Sequence, residues 1–237
     1  MRAFGDFTNE QMRYDSAEIA ILPVPYDGTS TWIKGADRGP EAILDASYNL
    51  EFYDIETATE VYKRGIATLE PVTEASSPEA MADEVERRME QILHDGKFPV
   101  LIGGEHSVSI GAFRAMARRY SNLSILQLDA HSDMRDEYEG SPCNHACVMA
   151  RAKSLHQISH RSAFVVRRAR SCIISIGSVP SMPTASPRMM SGLSAYLRSW
   201  ATMSISLSTS MSLTLPTSPL RVLPSQVVLP IARLWGF

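Results

Sequence analysis

Three residues that could bind a metal ion, Asp129, His131 and Asp133, occupy alternate positions along one segment. Side chains alternate between faces in extended backbone, so all three are predicted to point the same way. His106 lies in an earlier polar segment that also follows an apolar run. Such a set of carboxylates and imidazoles suits manganese or magnesium better than structural zinc, and histidine favours manganese. The alternative is a group of solvated loop charges.

Other polar residues flank this predicted site. Asn144 and His145 follow shortly downstream as a second polar feature, and His145 taken by itself could be an exposed histidine of a turn. Glu105 and Asp136 are predicted to lie near the ligands or on the surface rather than to bind the metal. The sequence therefore predicts four metal ligands and one further histidine close to them.

The elements around these residues predict a parallel α/β sheet. Residues 98–102 and Leu123–Leu128 are apolar runs typical of buried strands, and residues 108–120 between them have helical periodicity. Strand, helix and strand in this order form a βαβ unit. In such sheets ligands bind beyond the carboxyl ends of the strands, where both polar segments lie.

Earlier segments extend the same pattern. Residues 17–23 are predicted to form a buried strand, and Pro40 begins a short helix over residues 41–46. A longer helix is predicted from Pro78, capped by Ser76 or Ser77 and ended by Gly96.

Composition limits the class of protein. The N-terminal residues are mixed and polar, unlike a signal peptide, and no apolar run approaches the roughly 20 residues that span a bilayer. Three cysteines without Cys-x-x-Cys spacing argue against disulfides and a zinc knuckle. A cytoplasmic protein with no membrane partner is expected.

Four motifs resemble those of the agmatinase/arginase ureohydrolase family. They are PYDGT (25–29), GGEHS (103–107), DAHSDMRDEYEG (129–140) and NHACVMAR (144–151), in the family's order. The continuation DMRDEYEG is more similar to agmatinases than to arginases. The resemblance covers roughly residues 17–157.

The resemblance implies a function for each matching residue. His106, Asp129 and Asp133 match ligands of one manganese ion, His131 matches a ligand of the other, and Asp129 bridges both. His145 matches a histidine that shuttles protons near the substrate. Asn144 would border the substrate entrance.

The same resemblance implies a three-layer fold, a parallel sheet with helices on both faces. It also implies hydrolysis of agmatine to putrescine and urea by two manganese ions, in a homo-oligomer. Arginine, guanidinobutyrate or another guanidino compound are alternative substrates. A non-catalytic family member that acts as a binding or regulatory subunit is a further alternative.

The last part of the chain has an abnormal composition. No Asp or Glu follows Glu139, so residues 1–139 carry a net charge of −13 and residues 140–237 carry +10. Residues 160–237 contain 16 Ser and eight Arg but no Lys. A nucleic-acid-binding tail is disfavoured because neither Lys nor an aromatic pattern accompanies the Arg. The family's later D-x-D-x-x-D-P and E-P-G-G segments, which complete its site, are absent.

A shifted reading frame accounts for this absence. Each codon of the shifted frame consists of the last base of one residue's codon and the first two bases of the next. With permitted codon choices, residues 202–215 then read DVYISIDVDVFDP. In the same frame, residues 221–229 give GTPEPGGL and residues 160–166 give QVGIRS. We therefore expect two segments: 1–157, part of a ureohydrolase domain, and 158–237, a Ser/Arg-rich tail read out of frame. The C-terminal part of the sheet would be missing or disordered, and activity impaired.

Overall fold

The computed structural model describes residues 1–155, apart from 57, 121, 122 and 130, together with four strands from later residues. The strands are β1 Ile19–Val24, β2 Ile66–Thr68, β3 Phe98–Gly103, β4 Leu123–Leu128, β5 Ala163–Arg167, β6 Cys172–Ile176, β7 Thr202–Ser208 and β8 Gln226–Ala232. The helices are α1 Asn9–Met12, α2 Gly39–Ala46, α3 Pro78–His94, α4 Ser109–Arg119 and α5 Val148–Leu155. Short 3-10 helices lie at Ala36–Arg38, Ser47–Asn49, Val61–Arg64, His106–Val108 and His145–Cys147.

All eight of these strands belong to one sheet in the order β2-β1-β3-β8-β7-β4-β5-β6. β1 pairs in parallel with β2 and β3, and β4 pairs in parallel with β5 and β7. β8 runs antiparallel to β3 and β7, and β6 runs antiparallel to β5. It follows that β3 and β4 run in the same direction, so their carboxyl ends lie at the same edge.

Hydrophobic residues cover both faces of the sheet. On β1, Ala20, Leu22 and Val24 belong to a large core cluster, whereas Ile21 belongs to a second cluster on the opposite face. The large cluster takes in the apolar faces of α3, α4 and α5, and the second takes in Leu44 of α2. The alternation follows from the two-residue period of a strand. Helices therefore cover both faces, which confirms the predicted three-layer α/β class.

Local sequence explains the position of α3, the longest described helix. Ser77 caps it by accepting a hydrogen bond from the Ala80 amide at 3.0 Å, and Pro78 occupies the first turn. Gly96 follows its end with a φ of 71°, a conformation that glycine adopts without steric cost. No helix within the described segments combines the length and apolarity needed to cross a bilayer.

Two features of the sheet differ from the sequence-based expectation. β3 and β4, which the sequence predicted as neighbours in a βαβ unit, are separated by β8 and β7. A hydrophobic run specifies that a strand is buried but not which strands lie beside it, so later strands can insert between the two. Four strands come from residues 163–232, where the sequence predicted a missing or disordered part of the sheet. The remainder of the predicted tail, 158–237, lies outside the described residues.

Candidate metal centre

His106 is positioned by the tight turn that follows β3. The amide of Gly104 donates to the Val24 carbonyl at 3.0 Å, and a Cβ atom at position 104 would lie 2.1 Å from the Tyr26 carbonyl oxygen. Only glycine allows the two backbones to approach this closely. Glu105 then caps the 3-10 helix His106–Val108, because its carboxylate accepts from the Ser107 amide at 2.9 Å.

The segment after β4 carries the other predicted ligands, but it is not extended throughout. Asp133 has a φ of 47°, in the left-handed region that Asp adopts more readily than most residues. Its carbonyl accepts hydrogen bonds from Met149 and Ala150 at 2.9 and 3.2 Å, which ties the turn to the start of α5. The expectation of continuous extended backbone is therefore wrong at Asp133.

The structure brings His106, Asp129 and Asp133 together. One ligand atom from each lies within 4.8 Å of the others. His106 Nδ1 is 2.7 Å from Asp133 Oδ2 and 3.7 Å from Asp129 Oδ2. The side chains of His106 and Asp129 are 5% and 2% exposed, and that of Asp133 is 10% exposed. Two carboxylates this deeply buried beside one imidazole favour a bound cation, because burial penalises uncompensated charge.

His131 does not join this group of three. Its Nδ1 atom lies 3.3 Å from Asp129 Oδ1, and its side chain is 70% exposed. The backbone amide of His131 also donates to Asp129 Oδ1 at 2.9 Å. His131 therefore contacts Oδ1 of Asp129, whereas His106 lies nearest Oδ2, and the His131 side chain faces solvent.

Sequence reasoning missed Gln127, which contacts the group from within β4. Gln127 is fully buried, and its Nε2 donates to Asp133 Oδ2 at 3.0 Å and to the His131 carbonyl at 3.4 Å. The sequence did contain a signal for this role, because Gln127 is a polar residue near the apolar end of strand Leu123–Leu128. A buried amide in such a strand needs hydrogen-bond partners. Gln127 thus holds the carboxylate of Asp133 in place.

His145 lies in a second polar contact near this centre. Its backbone amide donates to Thr29 Oγ1 at 2.9 Å, and its Nδ1 lies 3.2 Å from the same oxygen. The ring of Tyr138 meets the imidazole edge-on, with 5.9 Å between ring centroids. Asn144, predicted to border the substrate, is buried and caps the 3-10 helix His145–Cys147 by accepting from the Ala146 amide at 3.0 Å.

Burial raises the pKa of Glu105, the other buried acid near these residues. Hydrogen bonds from Ser107 and Thr29 and the charge of His145 act in the opposite direction and lower this pKa. Glu105 is 5% exposed and accepts from the Ser107 hydroxyl at 2.5 Å. The Glu105 amide also donates to the Tyr26 carbonyl at 3.0 Å, which links the loop after β1 to the turn that carries His106.

With the fold and this geometry established, comparison with known proteins identifies the class. The arginase family's sequence model matches residues 17–181, and the chain belongs to that family. The match includes all six residues that were predicted from the sequence as ligands, proton donor or substrate contact.

Two relatives and one solved structure define the likeness further. The chain is 43% identical over 149 residues to an N(1)-aminopropylagmatine ureohydrolase of Synechocystis sp.. The matched region covers 60% of this chain and 49% of that protein. It is 34% identical over 142 residues to an agmatinase of Bacillus anthracis, and the match covers 59% of this chain and 49% of that protein. The crystal structure of an agmatine ureohydrolase of Thermoplasma volcanium matches with a TM-score of 0.57 and 34% identity, over 63% of this chain and 52% of that one. The chain spans about half the length of the curated relatives it matches.

Proposed function

We propose that this protein carries a centre for hydrolysis of a guanidino group to urea and an amine. The observation that carries the proposal is the meeting of His106, Asp129 and Asp133 at the carboxyl edge of the sheet. Membership of the arginase family supports it, as do relatives named agmatinase and N(1)-aminopropylagmatine ureohydrolase.

Agmatine is the proposed substrate, with putrescine and urea as products. N(1)-aminopropylagmatine is a second candidate, because the Synechocystis relative at 43% identity is named for that compound. Both molecules present the same guanidinium group to the metal centre and differ only at the other end. A panel that contains both, together with arginine and guanidinobutyrate, separates these candidates.

Manganese is the proposed metal. Two carboxylates and one imidazole provide the mixed oxygen and nitrogen ligands that this ion accepts, and these three side chains are buried or nearly so. His131, which contacts Asp129 from the solvent side, is the proposed ligand of a second ion. A bound divalent ion lowers the pKa of a coordinated water and so supplies a nucleophile near neutral pH.

The protein's own residues would then orient the substrate and move protons. Gln127 and His106 both contact Oδ2 of the Asp133 carboxylate, at 3.0 and 2.7 Å. His145 is the proposed donor to the leaving amine, which must gain a proton as its bond to the guanidino carbon breaks. Asn144 is proposed to border the substrate while its side chain keeps the His145 turn in place.

We also propose that this chain supports at most a weakened form of the reaction, since residues 158–237 are a tail read out of frame. No Asp or Glu follows Glu139, so no later carboxylate is present to bind the second ion. Fewer negative charges weaken the attraction for two adjacent dications. We expect the 237-residue chain to bind one manganese ion and to release little urea.

The decisive experiment compares the chain with a variant whose reading frame is restored after codon 157. The restored protein is expected to bind two Mn²⁺ ions in calorimetric titration and to release urea from agmatine or N(1)-aminopropylagmatine. The Asp129→Asn variant of the restored protein should lose both properties. Absence of urea release from every compound in the panel by a folded, metal-loaded restored protein would refute the function.

The tail proposal has separate tests. The nucleotide sequence is expected to contain a one- or two-base insertion or deletion between codons 150 and 165. An open frame should then continue past the EPGGL segment. Turnover by the unaltered 237-residue chain equal to that of the restored protein would show that the tail does not impair the centre.

A further inference from the structure

Residues 138–141 form a tight turn beside His145. The Tyr138 amide donates to the Ser141 carbonyl at 3.1 Å, and the Ser141 amide donates to the Tyr138 carbonyl at 3.2 Å. The two residues between them, Glu139 and Gly140, have φ values of 51° and 82°. Positive φ at both central positions is typical of a type I′ turn, and a residue other than glycine keeps this conformation where its surroundings fix it. Contacts outside the turn are therefore expected to hold it.

The main outside contact is with Glu79, in the first turn of α3. The Ser141 hydroxyl donates to Glu79 Oε1 at 2.5 Å and accepts from the Cys143 amide at 3.0 Å. A hydroxyl has a single proton to donate, and here the carboxylate receives it. This hydrogen bond lowers the pKa of Glu79, so the acceptor is charged near neutral pH. Hydrogen bonds to ionised groups are stronger than neutral ones, so Ser141 ties the turn firmly to a helix 62 positions earlier in the chain.

Tyr138, at the start of the turn, contacts two further side chains. The guanidinium carbon of Arg135 lies over the Tyr138 ring at 4.2 Å from its centroid, which is the geometry of a cation–π contact. The imidazole of His145 meets the same ring edge-on, with 5.9 Å between ring centroids. Tyr138 is partly buried, and Arg135 is exposed. The surroundings of the His145 ring therefore depend on where the turn places Tyr138.

We propose that Ser141, anchored by Glu79, is a positioning residue that holds the Tyr138 ring against His145. The inference rests on the proposed function for its effect on rate, whereas the placement of the two rings does not depend on activity. It assigns a task to a contact between α3 and the turn that includes no proposed metal ligand.

The first test is proton NMR of the 237-residue chain, with the ring signals assigned by their loss in Tyr138→Leu and His145→Gln. The unaltered chain is expected to show a nuclear Overhauser contact between the Tyr138 and His145 rings. Glu79→Leu, which removes the acceptor, is expected to lose this contact, and Glu79→Gln, which keeps an acceptor oxygen, is expected to retain it. Glu84→Leu is the matched control on the same helix, because Glu84 pairs with Arg87, and it should leave the contact unchanged.

The second test is kinetic and uses the frame-restored protein. Glu79→Leu is expected to lower kcat by about 10- to 100-fold with little change in KM, because a misplaced proton donor loses part of its contribution to the rate. Glu79→Gln should recover most of this loss. If Glu79→Leu does not fold, as judged by circular dichroism, Ser141→Ala replaces it in both measurements.

The inference is overturned if a folded Glu79→Leu or Ser141→Ala variant keeps the contact between the two rings at its unaltered strength. An unchanged kcat in a restored variant that has lost the ring contact would overturn it as well. Loss of the ring contact in Glu79→Leu, together with no urea release by the restored protein from any guanidino compound, would keep the placement of His145 and refute the proposed function instead.

Discussion

At the scale of single residues, Gln127 connects strand β4 to the candidate metal centre. It is fully buried and donates to Oδ2 of the Asp133 carboxylate at 3.0 Å. Groups that hydrogen-bond to metal ligands fix the orientation of those ligands and commonly change metal affinity by 10- to 100-fold. The affinity of the centre should therefore depend on a side chain that does not bind the metal.

We expect Gln127→Leu to weaken Mn²⁺ binding by about 10- to 100-fold, measured by isothermal titration calorimetry. Leucine fills a similar volume but leaves Asp133 without its amide donor. Gln91→Leu is the matched control, since Gln91 makes an exposed hydrogen bond to Asp95 on α3. Equal affinities for the Gln127→Leu variant and the unaltered chain would show that the amide has no effect on the centre.

At the scale of elements, the contact between α3 and α4 depends on a glycine. Gly111 lies within α4, and a Cβ atom there would be 2.2 Å from the Ala82 carbonyl oxygen and 2.8 Å from the Glu86 amide nitrogen of α3. Both obstacles are backbone atoms, which cannot rotate away. The two helices, which together cover one face of the sheet, therefore approach each other at a distance that only glycine permits.

Gly111→Ala sets two effects against each other. Alanine favours a helix over glycine by about 1 kcal/mol, but overpacking a core costs about 1–3 kcal/mol. Because the clash is with backbone, we expect the clash to dominate and the free energy of unfolding to fall by about 1–2 kcal/mol. Urea unfolding followed by circular dichroism measures this change. An increase in stability would mean that α4 moves away from α3 without cost.

At the scale of the whole molecule, one buried and one partly buried tyrosine link stability to alkaline pH. Burial, with the charge of Glu105 next in effect, raises the pKa of Tyr26 to about 12. Burial and a hydrogen bond to Asp95 raise the pKa of Tyr14 to about 12. An unfolded tyrosine ionises near pH 10. Between pH 10 and 12 the folded protein therefore binds more protons than the unfolded chain.

The sign follows from proton linkage: when the folded state binds more protons, stability decreases as pH rises. The contribution of both tyrosines is fully present below pH 10 and is lost as pH rises towards about 12. We expect the free energy of urea unfolding to fall over this window and to fall less steeply in Tyr26→Phe. Tyr53→Phe, at an exposed position, is the control. An unchanged slope in Tyr26→Phe would contradict the prediction.

The sequence by itself determined the elements near the candidate metal centre and three of the residues that meet there. The predicted capping by Ser76 or Ser77, the strand Leu123–Leu128 and the helix before it agree with the structure, in which Ser77 is the cap. These features follow from local patterns, in which a cap, a strand period or a helical period is set by neighbours in the chain. The sequence likewise pointed to His106 and Asp129 after apolar strands and to Asp133 by its spacing from Asp129, and the structure brings these three side chains together.

Only the tertiary structure decided how these pieces meet. Strands from residues 202–232 lie between β3 and β4, Asp133 turns into the left-handed region, and His131 faces solvent while Asp129 is buried. Gln127 and Thr29 reach the centre and His145 through contacts that no local spacing encodes. The physical reason is that burial and hydrogen bonding between distant segments depend on how the chain packs, whereas a spacing rule describes only neighbours along it.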